Sequence, residues 1–389
     1  MKPLADLAYR LEGQRMFQIL AHAGELEREG KHILHFELGD PDFNTIAPIV
    51  EAVCDSLRGG ETHYAPSGGI RELKEAAADV TQRSRGFRPS LDQLLVTPGA
   101  NAQLDYAMVC VANPGDEVIM PDPGFVSYFS IAKMRGIKDV RLPLREDEGF
   151  RLNPDRVEEA ITARTKMIIM NSPSNPTGAV MTEEEVRRMY SIAQKHDLFL
   201  LSDEIYARMV YREANTAHFS PSRYDSCRER TIVVNGFSKS YAMTGFRLGV
   251  AMGPAEVINK MQLVLESTTS CVSPFVQRAG IAALTGDQAP IGAMVDEFRQ
   301  RRDLVVEGLN ALPGVQCTRP HGAFYAFPNI KGTELSSTEF CERMLDEAGV
   351  ALAPGPIFGQ FGEGYVRMAY ANSQPCIREA LERMNRVLS

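Results

Sequence analysis

Short apolar runs that alternate with amphipathic helical segments constrain the fold of this 389-residue chain most strongly. Five such runs are LLV at 94–96, EVIM at 117–120, MIIM at 167–170, LFLL at 198–201 and TIVV at 231–234. Segments with helical apolar spacing, such as EEEVRRMYSIAQKH at 183–196, separate most of them. Strands that are apolar on both faces and joined through helices are typical of a mainly parallel sheet covered on both sides. The sequence therefore predicts an α/β protein.

The two ends of the chain differ from this central pattern. After a charged helical segment at 295–312 come a break at PGV, a strand-like AFYAF at 323–327 and a last helix at 377–388. Residues before about 45 contain another helix and the Gly/Pro-rich LGDPDFNT. We therefore predict a large domain at 46–275 and a smaller α+β unit formed by 1–45, an N-terminal arm, together with 276–389.

Charge and cysteine usage exclude several classes of function. The net charge is −8 and the sequence contains no basic block, so we expect neither a nucleic-acid partner nor binding to an anionic membrane. Seven cysteines without a C-x-x-C pair fit neither a disulfide framework nor a zinc site, and no metal is expected. The chain shows no signal peptide and no membrane-spanning apolar run. These features predict a soluble, cytoplasmic protein.

Chemically active residues follow the predicted strands, where open α/β sheets bind their ligands. The first run leads into TPGANAQL, a Gly turn that opens a helix and can hold a phosphate. Phe125 follows the second run, and Asn171 or Asn175 in NSPSNPTG follows the third. The later runs lead to Asp203 with Tyr206, in SDEIY, and to Lys239 with Arg247, in NGFSKSYAMTGFRLG.

Each of these features taken alone has an ordinary structural explanation, such as a turn, a helix cap or a solvated lysine. Together they match the needs of one ligand, pyridoxal phosphate (PLP). Its aldehyde reacts with a lysine, its phosphate suits an arginine and helix N–H groups, and its ring nitrogen requires a carboxylate. Its phenolate oxygen accepts hydrogen bonds from an amide and a tyrosine, and its ring stacks on an aromatic side chain.

The motifs NPTG, SDEIY and SKSYAMTGFRLG, in this order, resemble those of the class I/II aminotransferases of the aspartate aminotransferase superfamily. The resemblance runs from LGDPDFNT at 38–45 to YVRMAYA at 365–371. It implies the PLP-dependent transferase fold type I, with a large domain and a smaller α+β domain. It also implies that Lys239 forms the Schiff base, that Asp203 pairs with the pyridine nitrogen, and that Phe125 stacks on the ring.

Further roles follow from the same resemblance. Asn175 and Tyr206 would contact the phenolate oxygen, and Asn175 would also contact the substrate. The phosphate would be held by Gly99, Ala100, Asn101, Ser238 and Arg247. The substrate α-carboxylate would bind Arg367 and the backbone of Gly39. Tyr64 matches a tyrosine that reaches the phosphate of a neighbouring subunit, which implies a homodimer with shared active sites.

This chain departs from the family pattern in two informative places. Many relatives have a phosphate-binding serine three residues before the lysine, where this chain has Gly236. Aspartate-specific bacterial relatives often carry a lysine at the position of Asn101, which weakens the case for a dicarboxylate substrate.

The resemblance implies transamination: Lys239 carries PLP, an L-amino acid gives up its amino group through pyridoxamine phosphate, and a 2-oxo acid receives it. The same residues also suit PLP-dependent elimination or replacement, an ACC-synthase-like cyclisation or an oxidase, because the cofactor supplies the carbanion and the protein selects the bond that breaks. A regulator that uses the fold as a ligand sensor is an alternative of another class. The presence of Lys239, Asp203 and Arg247 favours an enzyme.

Overall fold

The computed structural model describes residues 3–5, 7, 8, 15–213 and 217–389. In these residues the α-helices are α1 (Arg15–Arg28), α2 (Ala47–Arg58), α3 (Arg71–Arg85), α4 (Ala100–Val111), α5 (Val126–Arg135), α6 (Pro154–Glu159), α7 (Glu183–Lys195), α8 (Ser222–Asp225), α9 (Ala255–Thr268), α10 (Pro274–Thr285), α11 (Ala289–Asn310), α12 (Ser337–Arg343) and α13 (Gln374–Leu388). Within the described residues, no helix combines the length and the apolar character needed to cross a membrane.

The strands are β1 (Leu34–His35), β2 (Leu94–Thr97), β3 (Glu117–Asp122), β4 (Lys138–Pro143), β5 (Thr165–Asn171), β6 (Phe199–Asp203), β7 (Thr231–Val234), β8 (Gly249–Met252), β9 (Tyr325–Ala326), β10 (Val350–Ala351), β11 (Ala353–Pro354) and β12 (Val366–Ala369). Seven of them form a sheet in the order β2-β8-β7-β6-β5-β3-β4. Strand β8 is antiparallel to both of its neighbours, and the other pairs are parallel. The predicted α/β class and the mainly parallel sheet are confirmed.

The central strands form where the apolar runs predicted them. Strands β2, β3 and β7 are buried along their whole length, because helices cover both faces of the sheet. One packed cluster joins β2, β3, β5, β6 and β7 to α4, α5 and α9, and another joins β3, β5 and β6 to α7 on the opposite face. Two strands of this sheet, β4 and β8, were not predicted from the sequence, and β4 is only partly buried.

Local signals define where the helices begin and end. Helix α7 begins with a capping box, in which the Thr182 side chain accepts from the Glu185 N–H and the Glu185 side chain accepts from the Thr182 N–H. Helices α3 and α5 end at Gly86 and Gly136, both in the left-handed conformation that glycine adopts without steric penalty. These signals fix where each helix presents its apolar face to the sheet.

The chain ends pack together around smaller sheets. Strand β1 pairs in parallel with β10, and β11, β12 and β9 form a three-stranded antiparallel sheet. A large apolar cluster links these strands to α11, α12 and α13. The boundaries that we predicted for the large domain, 46–275, stay a prediction.

Candidate active site

A cavity of about 250 Å³ lies where the carboxyl ends of the central strands meet the segment before α2 and the three-stranded sheet. Its walls combine three cations, one buried acid, amides and aromatic rings. They are formed by Leu38, Gly39, Ala100, Asn101, Leu104, Phe125, Asn171, Asn175, Asp203, Ile205, Tyr206, Ser238, Lys239, Thr244, Arg247, Tyr325 and Arg367. We call this space the active-site cavity.

Lys239 follows β7 and extends its amine into the cavity. Its Nζ donates a hydrogen bond of 2.6 Å to the carbonyl oxygen of Gly39. Burial, together with the nearby charges of Arg367 and Arg247, lowers the pKa of Lys239 to about 8, although Asp40 acts in the opposite direction. A primary amine with this pKa is more often neutral, and therefore more nucleophilic, than an exposed lysine.

Asp203 ends β6 and is almost completely buried. The hydroxyl of Tyr128 donates to its Oδ2 at 2.6 Å, and the N–H of Ile205 donates to its Oδ1 at 3.2 Å. Burial is the largest influence and raises the pKa of Asp203 to about 6; these two hydrogen bonds lower it, and the charge of Glu204 raises it further. An acid held in this way is well suited to a cationic partner in the cavity, because such a partner would restore the charge balance.

Two asparagines connect neighbouring strand ends. Asn171, the last residue of β5, donates through Nδ2 to the Asp203 carbonyl oxygen at 3.0 Å. Its Oδ1 accepts from the N–H of Asn175 at 2.8 Å. The NPTG turn is therefore tied to β6, and the side chain of Asn175 is placed beside the cavity.

Tyr206 lies one short turn beyond β6 and shares a hydrogen bond of 2.7 Å between its hydroxyl and that of Tyr325. Burial raises the pKa of both phenols, so both remain neutral hydrogen-bonding groups at physiological pH. Glycine is required at position 39, because a Cβ atom there would collide with the Tyr325 hydroxyl. Close packing thus brings the backbone of Gly39 to the cavity wall.

The N-terminus of α4 forms one end of the cavity. Gly99 precedes it with a φ of 82°, and no side chain caps the helix. A Cβ atom on Gly99 would lie 2.6 Å from a guanidinium nitrogen of Arg247. This close approach places helix N–H groups and a guanidinium side by side, an arrangement that binds phosphate groups.

Arg367 lies at the other side of the cavity, in β12, with 1% of its surface exposed. It donates to Asn175 Oδ1 at 3.0 Å and to the carbonyl oxygen of Glu37. Its guanidinium carbon lies 4.6 Å from the ring centres of both Tyr325 and Phe358. These contacts hold a planar fork in a fixed orientation, which suits bidentate binding of a carboxylate.

The structure brings together most of the residues that the sequence nominated. Those that line the cavity are Gly39, Ala100, Asn101, Phe125, Asn175, Asp203, Tyr206, Ser238, Lys239, Arg247 and Arg367. Gly99 stands behind Arg247, at the start of α4. Tyr64 does not line the cavity of its own chain, and 89% of its surface is exposed.

Several residues that hydrogen-bond to the predicted site residues were not themselves predicted from the sequence. Tyr128 is one helical turn after Phe125, and this spacing was the signal that both side chains could face one strand end. Tyr325 lies in a segment expected near the substrate, but nothing in the sequence shows its bond to Tyr206. Glu37 carries no motif at all.

Known proteins share this architecture over the whole chain. The profile of the family described as Aminotransferase class I and II matches residues 31–384. The aspartate aminotransferase of Pyrococcus horikoshii is 38% identical over 99% of this chain and 97% of its own. The chain belongs to the class I and II aminotransferases. The family that the sequence motifs predicted is therefore confirmed.

Two further aminotransferases are similar to this chain over most or all of its length. Aromatic-amino-acid aminotransferase 2 of Thermococcus litoralis is 40% identical over 92% of each chain. The solved structure of the Thermus thermophilus aspartate aminotransferase with maleate matches with a TM-score of 0.95 and 38% identity, covering 100% of both chains. The protein is thus a PLP-dependent aminotransferase of fold type I.

The residues of the cavity fit PLP. One end offers the α4 N-terminus and Arg247 for the phosphate, and the middle offers the buried Lys239 amine for the aldehyde. Asp203 offers a buried carboxylate for the ring nitrogen, and burial alone makes that carboxylate costly without a cationic partner. The donor set therefore matches the cofactor group by group.

Proposed function

We propose that the residues of the active-site cavity carry out transamination between an L-amino acid and a 2-oxo acid in the roles that the family motifs suggest. The observation that carries this proposal is the combination of a buried Lys239 amine with lowered pKa, a buried Asp203 and a fixed Arg367 in one cavity. When bound, PLP supplies an electrophilic carbon and a ring that accepts electrons from the substrate Cα.

Lys239 moves the proton in this proposal. Its pKa of about 8 leaves a useful fraction of the amine neutral at physiological pH, so Nζ could accept the proton from the substrate Cα and would return it to the cofactor carbon that receives the amino group. The carbonyl of Gly39 holds Nζ at 2.6 Å and thereby limits the directions in which the proton can travel. Asp203 would keep the cofactor ring nitrogen protonated, and Tyr128 and Ile205 hold that carboxylate in place.

Arg367 orients the substrate. A bidentate contact to the α-carboxylate fixes two atoms of the amino acid, so the Cα–H bond can be presented to Lys239 in one geometry. Asn175 supports the guanidinium through its Oδ1 and can also reach the substrate side of the cavity. Tyr206 and Phe125 line the cavity, where they would exclude water from the reacting atoms and offer a polar and an aromatic contact to the cofactor ring.

The identity of the amino donor is open to direct measurement. Asn101 presents an amide where a lysine would attract a second carboxylate, which supports a donor with a neutral side chain over a dicarboxylate. The relatives named for aspartate and for aromatic amino acids provide the obvious starting panel.

The test is a half-reaction. The PLP-loaded protein is mixed with single amino acids, without an oxo-acid acceptor, and the products are identified by mass spectrometry. We expect one 2-oxo acid per active site and no ammonia. Continuous ammonia release would instead indicate elimination or oxidase chemistry and would refute the proposal.

A cytoplasmic homodimer completes the proposal. Tyr64 is exposed in the isolated chain, as a residue that serves a neighbouring subunit must be, and all seven cysteines are free thiols, as in reducing compartments. Tyr64→Phe should weaken PLP binding, since a charge-assisted hydrogen bond to the phosphate would be lost. Unchanged PLP affinity, or a monomer in sedimentation experiments, would contradict the shared active site.

A further inference from the structure

Glu37 has a buried carboxylate, and its backbone carbonyl oxygen contacts the guanidinium of Arg367. None of the Glu37 side-chain surface is exposed, and its Oε1 lies 2.8 Å from Nδ1 of His35. The other ring nitrogen of His35 lies 3.2 Å from Glu27, on the surface helix α1. These two contacts join an exposed acid to a buried one through the imidazole, and we call the three side chains the Glu27–His35–Glu37 relay.

The inner end of this relay is incompletely satisfied. Within the described residues, Glu37 Oε2 is buried and has no hydrogen-bond partner. Because this carboxylate is not exposed to solvent, its charge is weakly screened, and it is one of the charges that act on Arg367. The mechanism proposed above makes no use of this charge.

Backbone contacts join the relay to Arg367. The Glu37 carbonyl oxygen accepts a hydrogen bond from the Arg367 guanidinium, and the Phe36 carbonyl oxygen accepts from the Ala369 N–H at 2.9 Å. Asn372 donates to the His35 carbonyl oxygen at 2.6 Å. Residues 35–37 are therefore tied to β12 and to the segment that follows it, beside Arg367.

We propose that Glu37 is a positioning residue whose buried charge weakens the hold of Arg367 on the substrate carboxylate, and that protonation of His35 relieves this effect. This inference rests on the proposed role of Arg367 as the carboxylate site. It makes substrate affinity a function of pH through a residue that touches neither substrate nor cofactor.

The sign of the effect follows from the charges of the relay. When His35 is protonated, its positive charge offsets that of Glu37. The anionic substrate then approaches the cation of Arg367 without a net opposing charge from this pair. When His35 is neutral, the net negative charge of the pair opposes the incoming carboxylate. The affinity for carboxylates should therefore fall as the pH rises through the pKa of His35.

The surroundings of His35 raise its pKa above that of an ordinary histidine. Burial lowers the pKa of His35, but the hydrogen bonds and charges of Glu37 and Glu27 outweigh burial and raise the pKa above its ordinary value. The charges of Glu27 and Glu37 act on His35, and the charge of Glu37 also acts on Arg367. The neighbouring β10 contributes the apolar residues Val350 and Ala351.

The test measures binding of 3-phenylpropionate, a carboxylate without an amino group, to the PLP-loaded protein at about pH 6 and about pH 9, on either side of the histidine titration. At the alkaline pH, Glu37→Gln should bind the probe roughly five- to tenfold more tightly than wild type, because one opposing charge is gone. His35→Gln should match wild type there. At the acidic pH, His35→Gln should bind several-fold more weakly than wild type.

Controls separate this inference from the proposed function. Glu27→Gln, at the exposed end of the relay, should shift the midpoint of the pH dependence and leave the alkaline affinity unchanged. If Arg367→Ala binds the probe as well as wild type, the assignment of the carboxylate site itself is wrong. If only Arg367→Ala weakens binding, and Glu37→Gln has no effect or weakens it at alkaline pH, the Glu37 inference alone is overturned.

Two further observations keep the test decisive. If Glu37→Gln gives no folded holoenzyme, the comparison of His35→Gln with wild type decides, and parallel pH profiles would refute the role of the relay. Proton NMR of His35, assigned through His35→Gln, supplies a readout that is independent of turnover. By thermodynamic reciprocity, saturating 3-phenylpropionate must raise the pKa of His35. An unchanged pKa would overturn the inference.

Discussion

Two cavities of similar size lie on opposite sides of the segment that carries Lys239. The active-site cavity has a volume of about 250 Å³, and a second cavity, between α3 and strands β7 and β8, has about 210 Å³. Lys239 and Ser238 face the first, whereas Gly236, Phe237 and Ser240 face the second. Volume alone therefore does not distinguish the reactive cavity from the other.

One buried ion pair does distinguish the two. In the second cavity Arg85 bonds to the buried carboxylate of Glu204 at 2.6 Å and to Ser220 and Ser222. In the active-site cavity Lys239 donates to the carbonyl oxygen of Gly39, and Arg247 donates to that of Thr244. A cation paired with a carboxylate is electrically compensated, whereas one held by neutral oxygens still attracts an anion. Arg208 and Arg223 of the second cavity are likewise held by neutral oxygens, those of Gln288 and Ser84, so what sets this cavity apart is the compensated pair of Arg85 and Glu204.

The largest difference between the cavities should appear on replacing Lys239. Lys239→Ala removes both the attachment point and the proton carrier, and turnover should fall by about 10⁴-fold, the upper range for a positioned acid–base group. Ser240→Ala, one residue away and facing the second cavity, is the matched control and should keep most of the activity. Steady-state kinetics of both purified variants provide the measurement. Comparable losses in the two would contradict the assignment.

The second cavity should respond in stability instead of activity. Burial raises the pKa of Glu204, but the charges of Arg85 and His218 outweigh burial and lower it to about 2. Glu204→Gln leaves Arg85 without its counter-charge, so the free energy of unfolding should fall by about 3–5 kcal/mol. Denaturant unfolding at neutral pH measures this loss.

The pH dependence gives a second reading of the same variant. A carboxylate whose pKa is depressed in the folded state stabilises the protein above its unfolded pKa of about 4.3, and this contribution disappears as the pH falls toward about 2. Wild type should therefore lose its advantage over Glu204→Gln in that window. Equal stability of the two proteins at neutral pH would refute a structural role for the pair.

The sequence predicted the active-site cavity better than the second one, for a physical reason. Residues such as Asp203 and Lys239 follow apolar strand runs, and parallel strands bring their carboxyl ends to one edge. The pair of Arg85 and Glu204 joins positions 119 residues apart, with no periodic pattern to connect them. Tertiary packing decides such contacts, and a single sequence does not encode them in any local signal.

The same limit explains the strands that were missed. The apolar runs predicted β2, β3, β5, β6 and β7 within one or two residues. Strand β8 (GVAM) follows the turn of Arg247 directly and runs antiparallel. No helical segment precedes it, so the alternation of strands and helices did not predict it. Strand β4 (KDVRLP) carries charges because its position at the edge of the sheet leaves it partly exposed.

Arg367 tests whether the cation of the active-site cavity acts on the substrate. Arg367→Ala should lower kcat/KM for α-amino acids by about 100-fold, because a charged hydrogen-bonded contact is worth about 1.5–3 kcal/mol. Arg367→Lys keeps the charge without the planar fork, so its kcat/KM should lie between those of wild type and Arg367→Ala. Arg208→Ala, in the second cavity, is the matched control. Kinetics like those of Arg208→Ala would show that the carboxylate binds elsewhere.

The smallest expected effect concerns Asp203 in the protein without PLP. Because burial raises its pKa to about 6, the folded state binds the proton more tightly than the unfolded state, whose carboxyl has a pKa of about 3.9. Stability should therefore decline as the pH rises from about 4 to about 6 and stay lowered above that range, by about 2–3 kcal/mol.

Asp203→Asn removes this titration. The PLP-free variant should match wild type near pH 4 and be more stable than wild type by about 2 kcal/mol near pH 8, while its holoenzyme loses activity. Urea unfolding at both pH values measures the difference, and Asp155→Asn, an exposed acid, is the control. Added PLP should stabilise wild type more than Asp203→Asn, since only wild type offers the ring nitrogen a carboxylate. An advantage of equal size at both pH values would show that the buried charge of Asp203 is not what the cofactor compensates.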